Sequence, residues 1–134
     1  MSWDISICKF SPTYAAVEDI VDDERCFSLG TRQEVHAAVT DIFEGTDWTD
    51  PAWGVYDAPF GSVEFSISDS DTVEGMMLHV RAGEEIVAPI VELCLRHGWQ
   101  ALDISSGSFL EQSPIPDSGL KSWIAFRNHA LQKS

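Results

Sequence analysis

The chain has 134 residues, 44% of them hydrophobic, and its 22 acidic against 8 basic side chains give a formal net charge of -14. That length and apolar content suit one globular domain with a substantial core, and a field of that sign repels phosphates, which speaks against nucleic acid as a direct partner. No run approaches the ~18 apolar residues of a membrane span, and the start Met1-Ser2-Trp3-Asp4 lacks the basic and apolar segments of an export signal, so a cytoplasmic protein without a membrane partner is expected.

Residues 2–10 alternate, with Trp3, Ile5 and Ile7 on one face and Asp4, Ser6 and Cys8 on the other, which predicts a half-buried first strand. An acidic, irregular segment follows, with Glu18, Asp19, Asp22, Asp23 and Glu24. Thr31-Arg32-Gln33-Glu34 then has the form of a capping box, and Val35, Ala38, Val39, Ile42 and Phe43 recur at helical spacing up to a stop at Gly45. Residues 46–61, rich in Asp, Pro, Gly and aromatics, read as a long connection with at most a short strand near Trp53 to Tyr56.

Val63, Phe65 and Ile67 alternate with Glu64, Ser66 and Ser68, and Met76, Leu78 and Val80 alternate with Met77, His79 and Arg81, predicting a hairpin. Gly83-Glu84-Glu85 opens a second helix through Ile90, Leu93 and Cys94, with a regular start near Ala88 because Pro89 is tolerated only in a first turn. Trp99 to Ile104 returns as a strand. The order β-α-β-β-α-β predicts a single α+β domain over residues 1–111. Its expected form is the ferredoxin-like, split βαβ arrangement, an antiparallel or mixed sheet with two helices on one face. Residues 112–134 form an extension. Pro114 and Pro116 break the strand, and Leu120, Trp123, Ile124 and Leu131 predict a short C-terminal helix that packs on the domain or mediates self-association.

Several chemistries fail on context. Asp69-Ser70-Asp71 superficially matches the aspartate pair of a haloacid-dehalogenase-type phosphatase, but polar residues interrupt the preceding strand and another strand follows where that site needs a helix. A calcium loop fails because Val73 and Glu74 stand where a ligand and a glycine are needed. A turn is the better reading, since Asp and Ser bond nearby backbone. Ser118 and Lys121 lack the companion motifs of a serine–lysine site. His36, His79, His97 and His129 show no metal-ligand or triad spacing; His36 is expected on a helix surface and His97 at a helix end. Cys8, Cys26 and Cys94 are odd in number and far apart, which predicts reduced thiols and neither a disulfide framework nor a zinc site. No phosphate-cradling glycine loop is present, so no cofactor, metal or catalytic residue is assigned.

What remains is recognition. Asp47, Trp48, Asp50, Trp53, Tyr56 and Asp57 mix large aromatics with carboxylates, a combination suited to a protein interface, and Asp22, Asp23 and Glu24 form a second acidic group. Trp48 and Trp53 would alternatively fold back as a satellite core. The charge is uneven: residues 1–75 hold 16 acidic and 3 basic side chains, whereas residues 117–134 hold 1 and 3.

Trp53-Gly54, Val63-Glu64-Phe65, Met77-Leu78-His79-Val80-Arg81 and Gly98-Trp99-Gln100-Ala101-Leu102-Asp103 with Ser105, Ser106 and Gly107 resemble the pattern of immunity proteins encoded beside bacterial polymorphic or secreted toxins. The resemblance covers about residues 1–111. It implies a cytoplasmic inhibitor, monomeric or homodimeric and without a cofactor, that occludes a cognate toxin with a basic surface, such as a nuclease. The alternatives are a small-molecule-binding or catalytic domain using the His79 and Arg81 face, and a homodimeric accessory protein with no ligand.

Overall fold

The computed structural model describes residues 2–10, 12–21, 24, 26–68 and 70–112. In chain order they form β1 (Trp3–Cys8), β2 (Gly30–Thr31), α1 (Arg32–Ile42), β3 (Asp47–Asp50), β4 (Trp53–Ala58), β5 (Gly61–Ser66), β6 (Thr72–Val73), β7 (Met76–Ala82), α2 (Val87–His97), β8 (Gln100–Asp103) and β9 (Ser108–Phe109). Single 3-10 turns lie at Val17–Asp19, Glu84–Ile86 and Leu110–Gln112. The predicted C-terminal helix, with Leu120, Trp123, Ile124 and Leu131, lies outside the described residues, as do Asp22, Asp23, Asp69 and the Ser118–Lys121 pair.

The fold is mixed α+β. Seven strands make one sheet in the order β3-β4-β5-β7-β1-β8-β9, with every neighbouring pair antiparallel, and β2 pairs with β6 separately. The four strands expected from sequence are adjacent, as β5-β7-β1-β8. The sheet is nevertheless wider than the expected four strands, because β3 and β4 extend one side and β9 the other.

Most of that extra width comes from residues 46–61, read from sequence mainly as a connection. Its turn-forming residues close a hairpin instead of breaking the segment: Asp50 pairs with Trp53, and the Asp50 carboxylate accepts the Ala52 amide at 3.0 Å. The predicted hairpin of β5 and β7 forms, with an additional short strand in the connection between them. Ser66 pairs with Met77, so β5 and β7 adjoin directly, while β6, between them in the chain, pairs with β2. The Leu29 amide bonds the Val73 carbonyl at 2.7 Å and the Arg32 amide bonds that of Asp71 at 2.9 Å, which fastens this connection to the start of α1.

Alternation in the strands decides where the core sits. Trp3, Ile5 and Ile7 stand opposite Val80, Leu78 and Met76, and Val80 and Leu78 in turn face Val63 and Phe65, all buried. Val35 and Val39 of α1 and Ile90 and Leu93 of α2 join the same cluster, and the helices touch each other, so both cover this one face of the sheet. Thr31 caps α1 as the sequence predicts. Its hydroxyl accepts the Glu34 amide at 3.1 Å, and the Glu34 carboxylate accepts the Thr31 amide at 2.9 Å. Pro89 falls in the first turn of α2, where no helical bond is lost. Gly98 at φ 68° ends that helix, and the Trp99 amide returns to the Cys94 carbonyl at 2.9 Å.

The segment Gly98 to Gly107 works structurally. Asp103 is fully buried and accepts the Trp3 indole N–H at 3.0 Å, the Ser105 amide at 2.9 Å and the Ser105 hydroxyl at 2.7 Å. One carboxylate thereby ties the start of β1 to the turn between β8 and β9.

Candidate interaction face of the sheet

The sheet face away from the helices is built by register. Trp53, Ser66, Met77 and Ser6 form one cross-strand row; Val55, Glu64, His79 and Asp4 form the next; Asp57, Ser62 and Arg81 form a third. Asp47 and Asp50, on the edge strand, stand opposite Val55 and Trp53 and therefore share this face. The centre of the hairpin end is apolar and half-buried, with Trp53, Val55 and Met77, and its border is acidic.

The two basic side chains of this face are occupied. Nδ1 of His79 lies 2.9 Å from Oδ1 of Asp4, the same oxygen accepts the Ser2 hydroxyl at 2.5 Å, and Arg81 donates to the Glu64 carboxylate. Trp53 stacks on His79 with ring centroids 5.6 Å apart and planes 21° apart. Burial pushes the Asp4 carboxyl up, but the bonds from Ser2 and His79 and the charges of His79 and Arg81 together outweigh it and hold the group below its ordinary 3.8. Among the described residues, Asp47, Asp50 and Asp57 form no ion pair. The result is a negative surplus on the hairpin side.

The residues proposed from sequence for recognition divide between the two faces. Asp47, Asp50, Trp53 and Asp57 converge on the open face. Trp48 turns inward: its indole donates to Thr40 at 3.1 Å, stacks on His36 at 3.9 Å and lies over Gly54, where a Cβ would come within 2.7 Å of the ring. Tyr56 also faces inward, edge-on to Phe43 at 5.2 Å. His36 is half-buried, not a free surface residue, and its Nε2 donates to the Pro51 carbonyl at 2.8 Å, clamping the hairpin turn to α1. Glu24 accepts the Tyr14 hydroxyl at 2.8 Å, away from the hairpin, while Asp22 and Asp23 lie outside the described residues. Sequence reading missed Asp4, Ser2 and Glu64 because their roles depend on which strands adjoin.

The aspartate segment after β5 behaves as a turn where it is described. The Asp71 side chain is fully exposed, 3.9 Å from Arg32, and its backbone carbonyl does the structural bonding. Among the described residues no group of three His, Cys, Asp or Glu converges as a metal site. Burial, followed by the contact with Cys8, pushes the Cys26 thiol up to about 11, and burial also pushes the Cys94 thiol up, which favours the protonated thiol of both near neutrality. No protein-family model, curated protein or solved structure matched the chain.

Proposed function

We propose that this protein is an immunity-type inhibitor that acts in the cytoplasm by covering a basic surface of a cognate toxin, of the chemistry found in the nucleic-acid cleft of a nuclease. The observation that carries the reading is the open face of the β3–β4 hairpin. There Trp53 and Val55 provide an apolar centre, Asp47, Asp50 and Asp57 provide negative charge without an ion-pair partner among the described residues, and the nearby His79 and Arg81 are bonded by Asp4 and Glu64. A desolvated aromatic bordered by carboxylates suits a partner rich in Arg and Lys, with the charge acting mainly on encounter rate. Within this reading the strands β5-β7-β1-β8 with α1 and α2 are a ferredoxin-like, split βαβ core, and the hairpin is an added recognition edge.

The test is expression of the neighbouring reading frame with and without this protein. Toxicity of the neighbour alone, relieved by the wild-type chain through a stable complex, supports inhibition. A harmless neighbour rejects it.

One observation favours a second reading, a catalytic or small-molecule site. A carboxylate on Nδ1 of His79 is the arrangement that fixes a histidine tautomer and readies Nε2 as a base. Against it, Ser2 bonds the carboxylate instead of facing the imidazole, so no nucleophile is aligned. Turnover of a supplied ester or phosphoester that is lost in His79→Gln would establish this reading.

A further inference from the structure

Cys8 and Cys26, well separated in the chain, meet at the end of β1. Lys9 pairs with Phe27 in an isolated antiparallel bridge, closed by the Phe27 amide on the Lys9 carbonyl at 2.6 Å. In an antiparallel pair the residues flanking a bridge point to the face opposite that of the bridged residues. Cys8 and Cys26 each stand one position before a bridged residue, so both project from the same face. It is the open face, because Cys8 follows Asp4 and Ser6 in the alternation of β1. The two thiols are in hydrogen-bond contact, with Cys8 half-buried and Cys26 exposed, and the Ser6 hydroxyl lies 4.0 Å from the Cys8 sulfur.

This placement suits sulfur chemistry. The two positions are diagonal across the bridge, where Cα atoms stand ~7–8 Å apart, against up to ~6.8 Å in a disulfide, so closure takes a shift of about 1 Å. The Phe27 segment can give that shift, because a single bridge and not a ladder holds it to the end of β1. Burial and the Cys8 contact push the Cys26 thiol up to about 11, which denies the reduced pair thiolate stabilisation and makes Cys26 a poor leaving group. Both effects favour the disulfide once it has formed. The charges of Glu24 and Glu74 act on Cys26, which favours a cationic over an anionic co-reactant. Cys94 is buried in the core and out of reach of such a reagent.

We propose that Cys8 and Cys26 are a redox pair that exchanges with a cationic small-molecule disulfide and closes into an internal disulfide, fastening the end of β1 to the segment that precedes β2. The exposed Cys26 thiolate attacks one sulfur of the small disulfide. That S–S bond breaks, a mixed disulfide forms at Cys26, and the first small thiol leaves with the proton that Cys26 lost. The Cys8 thiolate then attacks the Cys26 sulfur and displaces the second small thiol, which takes the Cys8 proton. Two protein thiols are oxidised to one disulfide, and the small disulfide is reduced to two thiols. The assignment is independent of the inhibitor reading.

The test treats the full chain with cystamine, traps free thiols by alkylation and maps the products by mass spectrometry. The expected product is a monomer that has lost two hydrogens, with a peptide linking Cys8 to Cys26, Cys94 alkylated only after unfolding, and full reversal by dithiothreitol. Oxidised wild type should melt at a higher temperature than reduced, as closing the loop between the two cysteines requires. Cys8→Ser should stop at a mixed disulfide on Cys26, which separates the first attack from closure; the wild-type linkage map stands even where that variant folds poorly. A mixed disulfide that persists on wild-type Cys26, a disulfide between two chains, a link to Cys94, no reaction with cystamine, or an oxidised form that melts no higher than the reduced one would each overturn the proposal.

Discussion

The two faces of the sheet are made from the same strands, residue by residue, yet they obey different rules. Phe65 and Glu64 are neighbours in β5. Phe65 is fully buried against Phe43 and Trp48, whereas Glu64 points the other way and holds Arg81. On the helix side, identity and volume are fixed by close packing. On the open side, side chains pair by charge and remain partly hydrated, so they are free to serve recognition at small cost to stability. Close packing and surface pairing are thereby separated by the period of two in a strand.

Truncating one member from each face sharpens that comparison most. Phe65→Ala should cost about 3–5 kcal/mol, and Glu64→Ala about 0–1 kcal/mol, both read from urea unfolding midpoints. Similar losses at the two positions would break the distinction. Next in size is Gly54→Ala, which puts a methyl within 2.7 Å of the Trp48 ring. Overpacking of that kind costs about 1–3 kcal/mol, and the near-ultraviolet signal of the stacked Trp48 should change with it. An unchanged midpoint and spectrum would mean that Trp48 does not lie over Gly54.

A smaller effect should come from Asp4. Its carboxyl is held below 3.8 in the folded protein, so its stabilisation is present above that value and is lost as the pH falls through the depressed folded value. Asp4→Asn should therefore flatten the acid limb of a plot of melting temperature against pH below about 4, while leaving the slope near neutrality as it was. An unaltered acid limb would show that the Ser2 and His79 bonds do not hold the carboxylate.

Elements governed by local chemistry were legible in the sequence. The Thr31 and Glu34 cap, the helix end at His97 and the alternation in β1, β5 and β7 all depend on residues a few positions apart. The β3–β4 hairpin was less so. Asp47, Asp50 and Pro51 signal turns, and the strand forms because Trp48 finds His36 and Thr40 on α1 and the ring fits over Gly54. Tertiary packing there overrides weak strand propensity. Trp48 and Trp53 looked alike in sequence, and only the register sends one to the helices and the other to the open face. The Asp4 and His79 pair spans 75 residues and exists because β1 adjoins β7, a fact that no spacing in the chain announces.

The central claim, that carboxylates on the open hairpin face steer a basic partner, is tested most directly by converting Asp47, Asp50 and Asp57 together to Asn. The measurement is the rate of association with the neighbouring gene product at several salt concentrations. The account predicts a rate at least ten-fold lower at low salt, a flattened salt dependence and a nearly unchanged melting temperature. Wild-type association with wild-type salt dependence in the triple variant would contradict it.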